Sequence, residues 1–326
     1  MKHKKDSLFF PPLALGTWTF AGDKIWSDSD DKESIRVIHA AMDEGITLFD
    51  TSPNYGGGRS EQILGKALQD RSLAAVATKI KVDGKTTKEI TLAVEQSLHN
   101  LKREAIDLMQ IHWPAATEDT AKALDCFINL KNQGKILDIG VCNFGTYDLK
   151  ETENYPIKSN QLPYNLFWRV IEDKIAPSSK EQGMKVWVYS PFQQGLLSGK
   201  YKNISNFPEG RMRTRHFSPD REAACHGDGG MERETQEALT GFLNIAEEVN
   251  ISPLELGLRY ISSRSFVDTI LVGARTVEQL KEIRKSLKGS LDNDVINSLN
   301  RCSEKLLAAA KGNPDMYQKI SRIRYK

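Results

Sequence analysis

Asp50, Lys79 and His112 each stand at the end of a short segment rich in apolar and β-branched residues. A carboxylate, an amine and an imidazole can hold, polarise and transfer protons, so a site that joined them would suit acid–base chemistry on a small molecule. Each residue also has a purely structural interpretation: Asp50 as a turn cap, Lys79 as a solvated lysine and His112 as a buried histidine. The same placement at three successive segments favours one shared site over three separate structural roles.

The segments that carry these residues belong to an alternation of short apolar runs with longer runs of helical period. That alternation is typical of βα units around a parallel sheet. The predicted strands cover residues 13–16, 47–50, 74–79, 106–111, 136–141, 159–162, 185–190 and 269–272. Eight such units favour an α/β fold of the (β/α)8 TIM-barrel type, in which reactive residues gather at the carboxyl ends of the strands. Asp50, Lys79 and His112 would then face one another across a single mouth.

A doubly wound nucleotide-binding fold is the alternative architecture. Its glycine fingerprint should follow the first strand and open a helix, whereas here the first strand leads into Gly16-Thr17-Trp18. The glycines at 56–58 lack the lysine–serine or lysine–threonine pair of a phosphate-binding loop, and we interpret them as a turn before a helix. The barrel is therefore preferred.

The chain is expected to form one domain over residues 1–326, with the barrel core at about 10–290 and an extension with a C-terminal helix at about 291–326. A long connection rich in glycine, proline and arginine follows the seventh strand at 191–231. Loops of this length in compact domains are usually functional. We expect this long β7–α7 loop to lie over the site.

The composition argues against several classes of function. The 45 lysines and arginines are nearly balanced by 43 aspartates and glutamates, so the net charge of +2 gives no broad field for nucleic acid or an anionic membrane. The four cysteines are widely spaced without a CxxC pair, which indicates reduced thiols and no metal site. No signal-peptide core follows the basic start and no apolar run is long enough to cross a membrane, so we expect a cytoplasmic protein.

The segment 45–56, Gly-Ile-Thr-Leu-Phe-Asp-Thr-Ser-Pro-Asn-Tyr-Gly, resembles the second-strand motif of the aldo-keto reductase superfamily, in which a tyrosine follows an aspartate by five residues. The resemblance continues in order through the segments that end the third to eighth predicted strands, over roughly residues 10–290. Among the branches of the superfamily, the motifs of this chain most resemble those of the bacterial general-stress and inositol-dehydrogenase branch. The resemblance implies an NADPH-dependent oxidoreductase that reversibly reduces an aldehyde or ketone to an alcohol.

The resemblance assigns roles to Asp50, Tyr55, Lys79 and His112. Tyr55 would donate the proton as the general acid, and the Lys79 cation would make Tyr55 easier to ionise. Asp50 would hold Lys79 charged and in place. His112 would orient the substrate carbonyl and stabilise the charge that develops on its oxygen.

The resemblance also implies that NADPH binds at the mouth, with the amides of Asn143 and Gln161 on the nicotinamide carboxamide and the ring of Tyr189 against the nicotinamide. Arg275, beside a helix that follows Thr276, would bind the 2′-phosphate and favour NADPH over NADH. The expected cofactor-binding residues are Gly16, Thr17, Trp18, Asn143, Gln161, Tyr189, Ser190, Pro191, Leu196, Lys200, Arg211, Gly273, Arg275 and Gln279. One of Arg211, Arg213 or Arg215 is expected to join Lys200 near the pyrophosphate. Trp18, Trp113 and Phe192 are expected to wall the substrate pocket.

Two positions depart from the family pattern. Cys142 stands where many relatives have serine, which weakens one hydrogen bond, and Ile283 stands where many have an asparagine that contacts adenine. The second difference bears on the adenine contact and leaves the phosphate site unaffected.

Two other functions remain open at this stage. Some members of the superfamily are regulatory subunits of potassium channels, and a barrel lyase would use Lys79 to form a Schiff base. The five-residue spacing from Asp50 to Tyr55 favours the reductase. A small-molecule carbonyl or alcohol is the expected partner, whereas the substrate, the preferred direction and the oligomeric state are left open.

Overall fold

A computed structural model describes residues 10–22, 25–26, 29–71 and 73–325 of the chain. Eight parallel strands close into a barrel in sequence order, with each strand paired to the next and the last paired to the first. The (β/α)8 prediction is confirmed, and the doubly wound alternative is wrong because its sheet would remain open.

The strands are β1 Leu13–Gly16, β2 Leu48–Asp50, β3 Ala75–Ile80, β4 Ile106–Ile111, β5 Ile136–Cys142, β6 Ile157–Pro163, β7 Lys185–Tyr189 and β8 Thr269–Val272. These bounds agree with the predicted ones to within two residues at each end. Ser190, predicted as the last residue of the seventh strand, lies outside it because its φ of 57° is incompatible with an extended backbone.

The α-helices in the described part of the chain are α1 Asp31–Asp43, α2 Arg59–Ala67, α3 Thr87–Leu101, α4 Thr117–Asn132, α5 Thr146–Glu151, α6 Ile175–Glu181, α7 Glu232–Glu248, α8 Pro253–Ser262, α9 Val277–Ser286, α10 Asn293–Cys302 and α11 Glu304–Ala309. The expected C-terminal helix is therefore a pair, α10 and α11. The long β7–α7 connection runs over residues 190–231 and contains short 3-10 turns at Gln193–Ser198, Ile204–Asn206 and Glu209–Arg211.

Side chains fill the barrel interior in layers. One apolar layer consists of Ala14, Leu48, Ala77, Leu108, Trp187 and Leu271. Because successive side chains of a strand point to opposite faces, the residue two positions further along returns to the interior. Those residues are Gly16, Asp50, Lys79, Gln110, Tyr189 and Gly273. The next layer toward the carboxyl ends is thus polar, and it forms the floor of the mouth.

The turn at residues 56–58 places Tyr55 beside that polar layer. All three glycines have positive φ, and a Cβ on Gly56 would lie 2.3 Å from the Ala21 carbonyl oxygen. α2 begins directly afterwards at Arg59. The prediction of a turn before a helix is confirmed, and only glycine fits its first position.

Candidate active site

The carboxyl ends of the strands surround a cavity of about 1300 Å³. Most of the residues that the sequence predicted for the site line it. They are Gly16, Thr17, Trp18, Asp50, Tyr55, His112, Trp113, Asn143, Gln161, Tyr189, Ser190, Pro191, Phe192, Lys200, Arg211, Gly273, Arg275 and Gln279. Two predicted residues do not line it. Lys79 belongs to the floor layer but is covered by the residues around it, and the Leu196 side chain is fully buried in the hydrophobic core, which argues against a direct contact of that side chain with a cofactor.

Lys79 is the centre of the polar layer. Its Nζ donates to Asp50 Oδ2 at 2.7 Å, to the Thr51 carbonyl oxygen at 2.8 Å and to Tyr55 Oη at 3.1 Å. All three ammonium protons therefore have acceptors. Lys79 is only 1% exposed and Asp50 only 3%, so each charge depends on the other for its compensation.

Two amides complete the surroundings of Asp50. Gln161 Nε2 donates to Asp50 Oδ1 at 2.9 Å, and Gln110 Nε2 donates to the same oxygen at 3.3 Å. Cys142 lies behind them, with its thiol 3.5 Å from Gln110 Oε1. Gln110 was not among the residues expected at the site, although a glutamine inside the apolar strand 106–111 was a usable signal. In the structure, the Gln161 amide donates to Asp50. Its expected contact with the nicotinamide stays a prediction.

Burial sets the protonation state of Tyr55. Loss of water raises the pKa of Tyr55 from 10.0 to about 12, while the Lys79 cation acts in the opposite direction. Burial by itself would lower the pKa of Lys79, but the charges of Asp50 and Tyr55 raise that pKa above its ordinary value. Near neutral pH, Tyr55 therefore keeps its proton and Lys79 keeps its charge. The charge of Lys79 acts to lower the pKa of Tyr55, but the effect of burial is larger.

His112 lies on the other side of Tyr55, with the two ring centroids 6.2 Å apart in an edge-on arrangement. Burial first, and then the charges of Lys79 and Lys81, hold the pKa of His112 well below 6.5, so its imidazole is neutral. Its Nδ1 lies 3.4 Å from both Ser52 Oγ and Asn54 Nδ2. With the Asn54 amide as the donor to Nδ1, the ring proton stands on Nε2 and is available to an oxygen acceptor.

The three aromatic residues expected to wall a substrate pocket lie at the cavity, and their contact with a substrate stays a prediction. Trp18, Trp113 and Phe192 line the cavity, and the Trp18 ring stacks on Tyr55 with centroids 6.1 Å apart. The hydroxyl of the stacked Tyr55 accepts the hydrogen bond from Lys79. The walls would bind an apolar part of a substrate next to a proton donor.

On the far side of the mouth, Asn143 and Tyr189 form a fixed pair. Tyr189 Oη donates to Asn143 Oδ1 at 2.8 Å, and Asn143 Nδ2 donates to the His112 carbonyl oxygen at 3.2 Å. Asn143 adopts a positive φ of 63°, which turns its side chain out of the strand direction. Its amide and the Tyr189 hydroxyl are thus held together where both residues line the cavity.

The end of the cavity next to β8 is suited to an anion. Thr276 Oγ1 accepts from the Gln279 backbone N–H at 3.3 Å and starts α9, while Gln279 Oε1 accepts from the Arg275 backbone N–H at 2.8 Å. The N-terminus of a helix and a guanidinium together favour phosphate. Ile283, one turn further along α9, also lines the cavity and offers adenine an apolar contact.

The donors and acceptors of the cavity fit a dinucleotide such as NADPH. In the described part of the chain, Gln194 Oε1 is buried at the cavity without a hydrogen-bond partner, so it can accept a bond from a ligand hydroxyl or amino group. Lys200 and Arg211 lie on the same wall, and the Arg211 guanidinium is 5.0 Å from the Trp26 ring centroid. The cavity thus combines amide, aromatic and cationic side chains. A dinucleotide, with its carboxamide, ribose and phosphate groups, needs such a combination.

The tail after α11 folds back over the mouth, which the sequence analysis did not foresee. Arg215 is buried and donates to the carbonyl oxygens of Asp315 and Gln318, and further along Arg324 pairs with Asp148 at 2.7 Å. Between these anchors, the tail residues that line the cavity are Tyr317, Gln318, Lys319, Ile320 and Arg322. Arg215 thus binds the tail and does not line the cavity, unlike Arg211 and Arg213.

Neither a metal centre nor a membrane helix is seen in the parts of the chain that the structure describes. No three histidine, cysteine, aspartate or glutamate side chains converge there as metal ligands. Over the same residues, no helix combines the length and apolarity needed to cross a membrane.

The chain is similar to known proteins over nearly its whole length. The model of the Aldo/keto reductase family matches residues 12–304. Aldo-keto reductase YhdN of Bacillus subtilis is 31% identical over 313 residues, which cover 92% of each chain. The NADH-specific methylglyoxal reductase of Escherichia coli is 28% identical over 323 residues, covering 90% of this chain and 95% of the relative. The solved structure of the glycerol dehydrogenase AKR11B4 from Gluconobacter oxydans has a TM-score of 0.73 and 30% identity, with 93% of each chain covered.

Proposed function

Because the chain belongs to the aldo/keto reductase family, whose members use nicotinamide cofactors, we propose that it reduces an aldehyde or ketone with NADPH, with Tyr55 as the general acid. The observation that carries the proposal is the contact of Lys79 Nζ with both Asp50 and Tyr55 Oη at the floor of the cavity. A protonated tyrosine beside a fixed cation is a proton donor whose anionic form is stabilised once the proton leaves.

The residues act in sequence on the carbonyl oxygen. NADPH, when bound, supplies the hydride that reaches the carbonyl carbon. His112 Nε2–H donates a hydrogen bond to the oxygen and positions it, and Tyr55 then transfers its proton to that oxygen. Lys79 stabilises the tyrosinate that remains, and Asp50 holds Lys79 in position. The walls of Trp18 and its neighbours exclude water from the reacting atoms.

The raised pKa of Lys79 argues against the Schiff-base alternative. An amine must lose its proton to attack a carbonyl, which is why lysines that form Schiff bases have lowered pKa values. Lys79 instead has a raised pKa and three hydrogen-bond acceptors. These contacts favour a role in which the charged Lys79 stays protonated and acts on Tyr55.

A steady-state assay of NADPH consumption with a panel of aldehydes and ketones tests the proposed function. We expect consumption with at least some carbonyls and formation of the matching alcohol, identified by mass spectrometry. Absence of consumption above the protein-free rate with every carbonyl would contradict the proposal.

The pH dependence of the reaction follows from the two shifted pKa values. Protonated Tyr55 is the active acid, and with a pKa of about 12 it loses its proton only in strong alkali. Neutral His112 is the active donor, and its lowered pKa keeps it neutral down to mildly acidic pH. We expect kcat/KM for the carbonyl to be constant from about pH 6 to about pH 9. A titration midpoint inside that window would be inconsistent with these protonation states.

Arg275 is proposed to select NADPH. Loss of its guanidinium in Arg275→Ala removes a charge-assisted bond to the 2′-phosphate, so the ratio of the NADH Kd to the NADPH Kd should fall by roughly 10- to 100-fold. Fluorescence titration of both cofactors measures this ratio. Arg284→Ala, later on the same helix α9, is the control and should leave the ratio unchanged. Equal affinity of the unaltered protein for both cofactors would remove the basis of the assignment.

A further inference from the structure

The cavity is far more basic than the chain as a whole. The chain has a net charge of only +2, whereas seven lysines and arginines and two carboxylates line the cavity. The cations are Lys81, Lys200, Arg211, Arg213, Arg275, Lys319 and Arg322, and the carboxylates are Asp50 and Glu282. Asp50 is already paired with Lys79. Such a local excess of one sign attracts ligands of the other sign.

Part of this excess is explained by the cofactor and by an ion pair. Lys200, Arg211 and Arg275 lie on the walls proposed for the phosphates of NADPH, and Arg322 pairs with Asp83. The cations that remain are Lys81, Arg213 and Lys319. Within the described residues, none of these three has a carboxylate at ion-pair distance, although Arg213 donates to the Cys225 sulfur at 3.3 Å.

Arg213 and Lys81 each lie next to a residue whose ring contacts the proton donor Tyr55. The Arg213 guanidinium is 5.8 Å from the Trp18 ring centroid, and that ring stacks on Tyr55. His112 is in edge contact with Tyr55. Lys81 is next to His112 across the barrel wall, because the two residues directly follow the paired ends of β3 and β4, Ile80 and Ile111. A carbonyl oxygen placed at Tyr55 and His112 would thus lie in the cavity that both cations line.

Lys319 supplies a third cation from the tail. Its side chain lies against Gly227 of the long β7–α7 connection, where a Cβ on Gly227 would be 3.2 Å from Lys319 Cγ. Lys319 also lines the cavity and is exposed to solvent. The tail therefore brings a positive charge over the entrance to the site.

We infer that the substrate is an anionic carbonyl compound, whose carboxylate or phosphate group is bound by Lys81, Arg213 and Lys319 while its carbonyl group lies at Tyr55 and His112. This inference rests on the proposed reductase function. The substrate is thereby described by its negative charge. The three cations would determine specificity through binding and would take no part in proton transfer.

The test compares substrates that differ only in charge. Para-carboxybenzaldehyde and its methyl ester have the same reacting group, and glyceraldehyde phosphate with glyceraldehyde forms the matching phosphate pair. We expect kcat/KM to favour the anion of at least one pair by roughly tenfold or more at low ionic strength, through KM, because the charge is bound in ground state and transition state alike. The pair with the larger ratio distinguishes carboxylate from phosphate. The preference should decrease with added salt.

Single variants locate the anion site. Lys81→Gln, Arg213→Gln and Lys319→Gln should each lower the ratio of kcat/KM for the anion to that for its neutral partner by roughly three- to tenfold. Lys158→Gln, an exposed lysine near the amino end of β6, is the control and should leave the ratio unchanged. A variant that weakens NADPH binding without changing the ratio would assign that cation to the cofactor and overturn its place in the anion site.

The outcomes separate this inference from the function on which it rests. If no carbonyl of the panel, these four aldehydes included, is reduced with NADPH, the proposed function fails and the inference fails with it. If neutral carbonyls are reduced while the anion of each pair is reduced no better than its neutral partner at low ionic strength, the reductase function stands and the anionic substrate is overturned.

Discussion

Tyr55→Phe is expected to lower turnover with any carbonyl substrate by a factor on the order of 10² to 10⁴, the range typical of a lost general acid. The variant lacks only the hydroxyl that donates the proton and accepts from Lys79. The ring, with its stacking on Trp18, is kept, so the cavity should hold its shape and the Kd for NADPH should change little. Steady-state kinetics and a fluorescence titration of NADPH measure the two effects separately.

Two further measurements assign the loss to the acid. Phe192→Leu alters an apolar wall of the cavity without touching the proton donor, and it should affect KM more than kcat. Borohydride added to the unaltered protein with a carbonyl substrate should trap no adduct on Lys79, because the mechanism contains no Schiff base. Undiminished turnover in Tyr55→Phe would show that another group donates the proton, and a trapped adduct would restore the lyase.

The buried pair of Lys79 and Asp50 is expected to give the largest effect on stability. Asp50→Asn leaves the Lys79 ammonium buried without its counter-ion, which typically costs about 3–5 kcal/mol of the free energy of unfolding. Lys79→Met leaves the Asp50 carboxylate with only the two amide donors, Gln110 and Gln161. The double variant Asp50→Asn with Lys79→Met removes both charges, so it should be more stable than the sum of the two single losses predicts.

Urea unfolding of the four proteins at neutral pH measures this coupling. Neutral pH is suitable because the raised pKa of Lys79 contributes stability that is fully present below the pKa of an unfolded lysine, about 10.4, and is lost only above it. Lys305→Met is the matched control: its ammonium lies 2.9 Å from Glu237, but the side chain is 76% exposed. That substitution should cost less than about 1 kcal/mol. Additive losses in the double variant would mean that the two charges do not depend on each other.

The sequence by itself was enough to predict the barrel and the strand ends. Apolar runs, helical periods and turn residues are local signals, and eight of them in alternation leave few other architectures. Asp50, Lys79 and His112 could be found because a barrel brings the carboxyl ends of its strands to one mouth whatever the details of packing. Tyr55 was identified only through the resemblance to a family, because a tyrosine in a turn carries no signal of its own.

Only the tertiary structure decided which of these groups touch and how each is charged. Which residues of a strand face the interior depends on barrel closure, so the contacts of Gln110 and Gln161 with Asp50 are not visible in the sequence. The protonation of Tyr55 depends on how much water the surrounding residues exclude, and here burial exceeds the effect of the Lys79 charge. The balance between these opposing effects is a property of the packed site.

The tail illustrates the limit of local patterns most clearly. Its residues have no helical or strand period, and they are placed by ion pairs and hydrogen bonds to distant parts of the chain. Arg215 binds the tail across about 100 residues of sequence and Arg324 binds Asp148 across 176. Contacts of such separation leave no local pattern in the sequence, because they join residues that only the folded barrel brings together. The sequence therefore determined which strand ends supply the catalytic side chains, whereas long-range packing decided that the tail residue Lys319 lines the same cavity.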